Sequence, residues 1–173
     1  ALVLAGVILW PQWSAPSKLK PGETVASLTQ SVAASLELSG ATSDFSNGSA
    51  VRTGSYQLDE GLVQITFESG VEVVIEAPAS FEIHGPGFMI LNEGRLAANV
   101  TPEGVGFTVE TPDAEVVDFG TEFAIEVVGE RSSEVHVFKG EVQVQPKQQD
   151  TSIDPVRLVT NQATRIDHST LIP

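Results

Sequence analysis

Apolar and polar residues alternate with a period of two after Gly61, and this limits the possible folds more than any other feature. Val63, Ile65 and Phe67 are separated by polar residues, and the same alternation continues over residues 71–75. A strand with one buried face needs an apolar side chain at every second position. No sustained helical period appears after Gly61. The pattern therefore predicts an all-β fold.

Turn residues divide the alternating sequence into short runs. Ser69-Gly70 and Gly85-Pro86-Gly87 predict turns, and Ala77-Pro78 is predicted to close a strand because proline cannot donate to a ladder. Further strands are predicted at residues 107–110, 115–118, 123–128, 134–138 and 142–145. The predicted core consists of Val63, Ile65, Phe67, Val71, Val73, Ile75, Phe107, Val109, Phe123, Ile125, Val135, Val137, Val142 and Val144.

A polar residue followed by glycine and an alternating segment occurs three times, at Gly61, Gly94 and Gly140. Each of these glycines is predicted to begin a strand. The steps between them are unequal, which argues against a strict solenoid repeat. They fit similar strand–turn–strand layers with inserted loops, or ordinary turn chemistry before strands.

Composition favours a single folded domain that does not bind nucleic acid. The 173 residues include 41% hydrophobic residues, and mean hydropathy is +0.07, which is sufficient for a core. Nine Lys and Arg against 23 Asp and Glu give a net charge of −14. A phosphate backbone repels such a field. Cysteine is absent, which excludes disulfides and thiolate chemistry.

Residues 1–10 are apolar and are followed by three prolines within residues 11–22. Ten residues span about 15 Å as a helix, half of a hydrocarbon core. We expect residues 1–10 to be the remnant of a transmembrane helix, residues 11–22 a linker and residues 23–173 the all-β domain. The alternative is that residues 1–10 form a short buried strand or helix of the domain.

No set of residues suits catalysis or metal binding. His84, His136 and His168 lack the close spacing of a metal site, and no serine lies in a nucleophile elbow. We therefore predict no catalytic residue, no metal ligand, no bound cofactor and no enzymatic activity. Four of the arginines are scattered along the sequence and do not indicate an anion site: Arg95, Arg131, Arg157 and Arg165.

A glycine corner is predicted around Gly120, which should adopt a positive φ. Asp118 and Thr121 are expected to cap this turn by hydrogen bonding to nearby amides. The alternative is that Asp118 and Glu122 face a partner.

Three sequence motifs, which occur in a fixed order, resemble those of a known family. The segments 107–112 (FTVETP), 116–123 (VVDFGTEF) and 135–142 (VHVFKGEV) resemble the FecR domain family, whose core reads F-x-V-x-T-P, V-x-D-x-G-T-x-F and V-x-V-x-x-G-x-V. The resemblance extends from about Gly61 to Val144, and more loosely to Asp167. The amino-acid sequence is similar to that of a variant FecR subgroup from planctomycete-like or verrucomicrobial bacteria. Members of this subgroup are frequently followed by a lectin-like sandwich.

The resemblance implies a fold. It suggests layered stacking of the β-solenoid or β-roll kind, with a β-sandwich as the alternative. It also favours a strand at residues 24–38, where Val25, Leu28, Val32 and Leu36 have helical spacing. Residues 39–54 are rich in Ser, Gly, Asn and Thr and are predicted to form a loop or an exposed hairpin.

The resemblance also implies a function. FecR-like proteins carry a cytoplasmic segment that restrains a sigma factor, one transmembrane helix, and an outer domain that receives a signal from a partner protein. This chain resembles the outer domain only, so we expect a periplasmic, membrane-tethered domain of an anti-sigma regulator in a bacterial envelope. Its expected partner is an envelope protein, and the sigma factor would bind through a segment outside this chain. The alternative is a cell-surface scaffold that presents a glycan-binding neighbour domain.

Overall fold

The computed structural model describes residues 19–39, 45–129, 132–147, 154–167 and 170–172. Within these residues, thirteen strands are joined by hydrogen bonds into one open sheet, which confirms the all-β prediction. The strands are β1 Thr24–Leu38, β2 Ala50–Arg52, β3 Gly54–Phe67, β4 Glu72–Gly85, β5 Phe88–Asn99, β6 Thr108–Glu110, β7 Ala114–Asp118, β8 Glu122–Val127, β9 Ser132–Lys139, β10 Glu141–Pro146, β11 Val156–Val159, β12 Ala163–Asp167 and β13 Thr170–Ile172. A 3₁₀ turn, Pro102–Gly104, precedes β6.

The predicted membrane segment at residues 1–10 lies outside the described residues, as does most of the predicted linker at 11–22. Where the structure describes the chain, it contains no helix with the length and hydrophobicity needed to span a membrane.

The first part of the sheet is an antiparallel series of long strands. Strand β1 pairs with β3, β3 with β4, and β4 with β5, while β2 pairs with the beginning of β1. The strand interpretation of residues 24–38 is therefore confirmed, although the apolar spacing also suits a helix. Its register is interrupted at three places, and these bulges account for the loss of strict alternation.

Strands β1, β3, β4 and β5 are irregular along one line, which we call the bend line. Ala33 has φ +47° on β1, Gly61 has φ +80° on β3, and Gly94 has φ +104° on β5. Pro78 occupies the corresponding register break on β4. Aligned bulges bend neighbouring strands together, so the four strands turn as one.

A tyrosine contact shows how strongly β1 bends. The Tyr56 hydroxyl donates to the carbonyl oxygen of Arg52 at 2.8 Å and accepts from the Arg52 amide at 3.0 Å. Arg52 pairs with Thr24 at the start of β1, whereas Tyr56 pairs with Leu38 at its end. A straight strand of this length would separate its ends by about 45 Å. The bend therefore brings both ends of β1 to the same core.

The sheet divides into two branches at β5. Phe88–Ile90 of β5 pairs in parallel with β6, which continues through β7, β10 and β11 and forms the first branch. Gly94–Asn99 pairs antiparallel with β8, which continues through β9, β12 and β13 and forms the second branch. The ring of Phe67, at the end of β3, packs edge-on against the ring of Phe107, which precedes β6. The two ring centroids are 5.2 Å apart.

The predicted core is confirmed. All fourteen residues named from the sequence alternation are buried in one hydrophobic cluster, and none exposes more than 3% of its surface. Tyr56, Leu58, Phe81 and Leu91 belong to the same cluster. Hydrophobic burial on this scale is the main stabilising contribution to a domain of this size.

Two local predictions are wrong. Ala77-Pro78 does not close a strand, because β4 continues to Gly85 and Pro78 lies at a register break where no ladder bond is lost. Gly61 and Gly94 do not begin strands but lie inside β3 and β5, while Gly140 does precede β10. Of the two possibilities predicted for residues 39–54, a loop or an exposed hairpin, the presence of β2 antiparallel to β1 favours the hairpin, although residues 40–44 are not described.

Candidate functional site

The turn between β7 and β8 is built around Asp118 and Gly120. The Gly120 amide donates a hydrogen bond of 2.6 Å to Oδ2 of Asp118. Gly120 has φ +96°, as predicted, and a Cβ added at this position would have its nearest neighbour 3.7 Å away, on Val105. Glycine is therefore required here by backbone conformation rather than by lack of space.

Asp118 is a fully buried carboxyl group. Burial raises its pKa to about 7, while the nearby amides of Gly120, Thr121 and Phe119 oppose that rise. Among the described residues, its Oδ1 atom has no hydrogen-bond partner. The predicted capping role of Asp118 is confirmed, and its burial excludes direct contact with a partner.

The neighbouring predictions have different outcomes. Within the described part of the chain the Thr121 hydroxyl is buried without a hydrogen-bond partner, so its predicted capping role is wrong. The Thr121 methyl group instead packs against Gly140, where an added Cβ would lie 2.6 Å from the Thr121 Cγ2 atom. Glu122 is half exposed and lies 4.0 Å from the Lys139 ammonium group. Of the two acidic residues at this corner, only Glu122 is accessible to a partner.

A second turn, between β6 and β7, holds the two branches together. Oγ1 of Thr111 accepts hydrogen bonds from the amides of Asp113 and Ala114, at 3.3 and 3.0 Å. Ser133 of β9 donates to the same oxygen at 2.9 Å. All of these side chains are buried. Sequence reasoning did not identify this network, although the Thr-Pro phrase after a strand marks its position.

The two described histidines each contact a different glutamate. Nε2 of His84 lies 2.9 Å from Glu82, and Nε2 of His136 lies 3.4 Å from Glu134. His168 lies outside the described residues. The part of the chain that the structure describes contains no group of three potential metal ligands. No arrangement suited to metal binding is therefore present there.

The arginines also remain apart from one another. Arg95 pairs with Glu126 at 2.8 Å and with Glu76 at 4.0 Å. Arg165 pairs with Glu134 at 3.1 Å, and Arg157 forms an ion pair with Glu141. The hydrogen bond that Arg95 donates to Glu126 and the negative charge of Glu126 raise the pKa of Arg95. Arg131 lies outside the described residues.

A surface cavity lies where the bend line meets the division of the sheet, and no sequence motif indicated it directly. It has a volume of about 250 Å³ and is bordered by Glu76, Pro78, Glu93, Arg95, Glu126 and Val128. These residues come from β4, from β5 and from the end of β8. Two features noted in the sequence fall within it, the glycine motif around Gly94 and the Ala77-Pro78 pair. We call it the corner cavity.

The bent, divided sheet and its glycine corners define a class of all-β domain that comparison with known proteins identifies. The family model described as FecR protein matches residues 49–143, which is more than half of the chain. The chain therefore belongs to the FecR protein family. The match covers the chain from the start of β2 into β10. A search of curated proteins gives no match.

Two crystal structures from Parabacteroides distasonis ATCC 8503 have a similar fold, and each is described as that of a "putative anti-sigma factor". The first has a TM-score of 0.54 at 22% identity, and the similarity covers 68% of this chain and 57% of that one. The second has a TM-score of 0.50 at 24% identity, and it covers 63% of this chain and 53% of that one. This chain thus spans little more than half the length of these proteins.

Proposed function

We propose that this chain is the signal-receiving domain of a FecR-like transmembrane regulator of a sigma factor. The family match over residues 49–143 carries this proposal. The two P. distasonis proteins support it, since both are described as anti-sigma factors and share the fold. In this proposal the sigma factor binds a cytoplasmic segment of the parent protein, outside this chain.

The domain acts by contact with another protein rather than by catalysis. Several of its acidic side chains form surface ion pairs, and the described residues contain no metal-ligand cluster. The net charge of −14 favours a partner with a basic surface and disfavours nucleic acid. The partner is an envelope protein that contacts residues 23–173, with residues 1–10 as the membrane anchor and residues 11–22 as the linker.

Deletion of residues 23–173 from the full-length protein tests this function in the native bacterium. Transcripts are compared between the deletion strain and the wild type, and the sigma factor that copurifies with the membrane protein is identified in both. We expect the sigma factor to be retained and a defined set of transcripts to change. Unchanged transcripts, or no sigma factor bound to either protein, would contradict the proposal.

The absence of cysteine offers a test of location. Asp59 is exposed and Phe123 is fully buried, so Asp59→Cys and Phe123→Cys form a matched pair. In intact cells, a membrane-impermeant thiol reagent should label the Asp59→Cys protein and leave Phe123→Cys unlabelled until the domain is unfolded. Labelling of Asp59→Cys only after rupture of the inner membrane would place the domain in the cytoplasm.

A further inference from the structure

The corner cavity exists because β5 changes partners. Ile90 is the last residue of β5 that pairs with β6, and Gly94 is the first that pairs with β8. Between them the edge of β5 pairs with neither branch, and the sheet opens. Gly94 allows β5 to approach β4 closely at this opening, because a Cβ there would lie 2.6 Å from both Ala79 Cβ and the Pro78 carbonyl oxygen.

The walls of the corner cavity carry more negative than positive charge. Among the described residues, Glu76, Glu93 and Glu126 line it together with one cation, Arg95. Arg95 is shared between Glu76 and Glu126, whereas Glu93 forms no ion pair with any described residue. The side chain of Arg95 is 59% exposed, so its pairs are weak and can rearrange. One more guanidinium or ammonium group would bring this site closer to neutrality.

Apolar surface borders the same opening. Val128 is 53% exposed, and Pro78 is exposed beside it. A long aliphatic side chain with a charged end matches such a lining, because its methylene groups can contact Val128 while its end reaches the carboxylates. The cavity is smaller than the roughly 300–1,000 Å³ of typical small-molecule sites. It is better suited to one side chain than to a cofactor.

A cross-strand row of residues on β4, β5, β8 and β9 adjoins the corner cavity. Strand pairing places Val74 opposite Ala97, Ala97 opposite Ala124, and Ala124 opposite His136. The next row along these strands holds Glu76, Arg95 and Glu126, which also line the cavity. Small side chains beside the cavity leave room for the backbone of a bound segment.

We propose that the corner cavity binds an arginine or lysine side chain of a protein partner, whose flanking apolar residues lie on Val128 and on the row around Ala97. This rests on the proposed function in that the partner is the protein that brings the signal. The excess of carboxylates in the cavity and the acidic charge of the chain favour a basic side chain as the ligand. Glu93 and Glu126 hold the basic end group, and Val128 contacts its methylene groups.

Two synthetic tripeptides test the site directly. N-acetyl-Leu-Arg-Leu-amide carries the basic side chain, and N-acetyl-Leu-citrulline-Leu-amide has nearly the same shape without the charge. Each is titrated into the ¹⁵N-labelled 173-residue chain, and amide chemical shifts are followed. We expect the arginine peptide to shift the amides of Gly94 and Val128 and to bind about tenfold more tightly than the citrulline peptide.

Two pairs of variants separate the site from general charge attraction. Glu93→Gln should weaken the arginine peptide several-fold, whereas Glu37→Gln, an exposed glutamate on β1, should leave its affinity unchanged. Ala97→Arg should also abolish binding, while Gln57→Arg at an exposed position of β3 should not. Equal affinities for the two peptides, or equal effects within either pair, would overturn the proposal. So would shifts spread over the whole acidic surface.

The outcome is independent of the sigma-factor test. Peptide binding as expected, together with unchanged transcripts after deletion of residues 23–173, would support the binding site and contradict the proposed function. Changed transcripts with no difference between the arginine and citrulline peptides would end the site proposal and leave the function in place.

Discussion

The amide of Gly120 donates a hydrogen bond of 2.6 Å to Oδ2 of Asp118, at the corner between β7 and β8. This corner combines a glycine with positive φ and a buried carboxyl group. The same corner touches the next turn, since the Gly120 carbonyl oxygen would lie 2.5 Å from a Cβ at Gly140. Two of the family motifs, residues 116–123 and 135–142, are therefore in contact at this corner.

Replacing Gly120 with valine should destabilise the domain by about 1–3 kcal/mol, because φ +96° is costly for a branched residue. Thermal and denaturant unfolding measure the change. Gly87→Val is the control, since Gly87 has open space around it and lacks a positive φ. Equal midpoints for the Gly120→Val protein and the wild type would show that the glycine is incidental.

The raised pKa of Asp118 predicts that the free energy of unfolding decreases as pH rises. The folded pKa is about 7 and the unfolded value is 3.8, so the folded protein binds more protons between these values. This contribution to stability is complete below pH 3.8 and is lost as pH rises through about 7. Denaturant unfolding from pH 5 to 8.5 should therefore show that Asp118→Asn gains stability relative to the wild type as pH rises. A difference that does not change with pH would contradict the assignment.

The glycines of the bend line should be less tolerant than Gly120. A Cβ at Gly61 would clash with the carbonyl oxygens of Val32 and Ala33, and Gly61 also has φ +80°. Backbone strain costs about 1–3 kcal/mol, and the steric clash adds a destabilisation of similar magnitude. Gly61→Ala should lower the free energy of unfolding by about 3 kcal/mol or more, measured against Gly87→Ala. A loss no larger than that of Gly87→Ala would show that the strands can shift to make room.

The hydroxyl of Thr111 should contribute measurably to stability because it serves both branches. Thr111→Val leaves two buried amides without their acceptor and leaves the Ser133 hydroxyl only its 3.4 Å contact with Oδ2 of Asp113, which costs about 1–3 kcal/mol. Thr111→Ser retains the oxygen and should keep most of the stability. Equal losses for the two variants in denaturant unfolding would assign the effect to the methyl group instead.

Alternation was sufficient to predict the core but not the course of the strands. Val63, Ile65 and Phe67 could be assigned to one buried face because a strand with a single core side must be apolar at every second position. The same sequence did not show that β3 begins seven residues before Gly61. Glycine before an alternating run is compatible with a strand start and with a bend inside a strand. Only the close approach of Val32 and Ala33 to Gly61 distinguishes them.

The corner cavity could not be predicted for a related reason. Glu76, Glu93 and Glu126 lie on three strands, and their proximity depends on the pairing register of β4, β5 and β8. Register between distant segments is set by the whole core rather than by local sequence. The capping role of Asp118 depends only on residues two positions away, and it was predicted correctly.

Transcription in the native bacterium tests the central claim, that the folded domain passes a signal to a sigma factor. Full-length proteins carrying Gly61→Ala, Gly87→Ala or the deletion of residues 23–173 are compared with the wild type for the transcripts that depend on the sigma factor. We expect Gly61→Ala to resemble the deletion and Gly87→Ala to resemble the wild type. The same transcript levels in all four strains would contradict the claim.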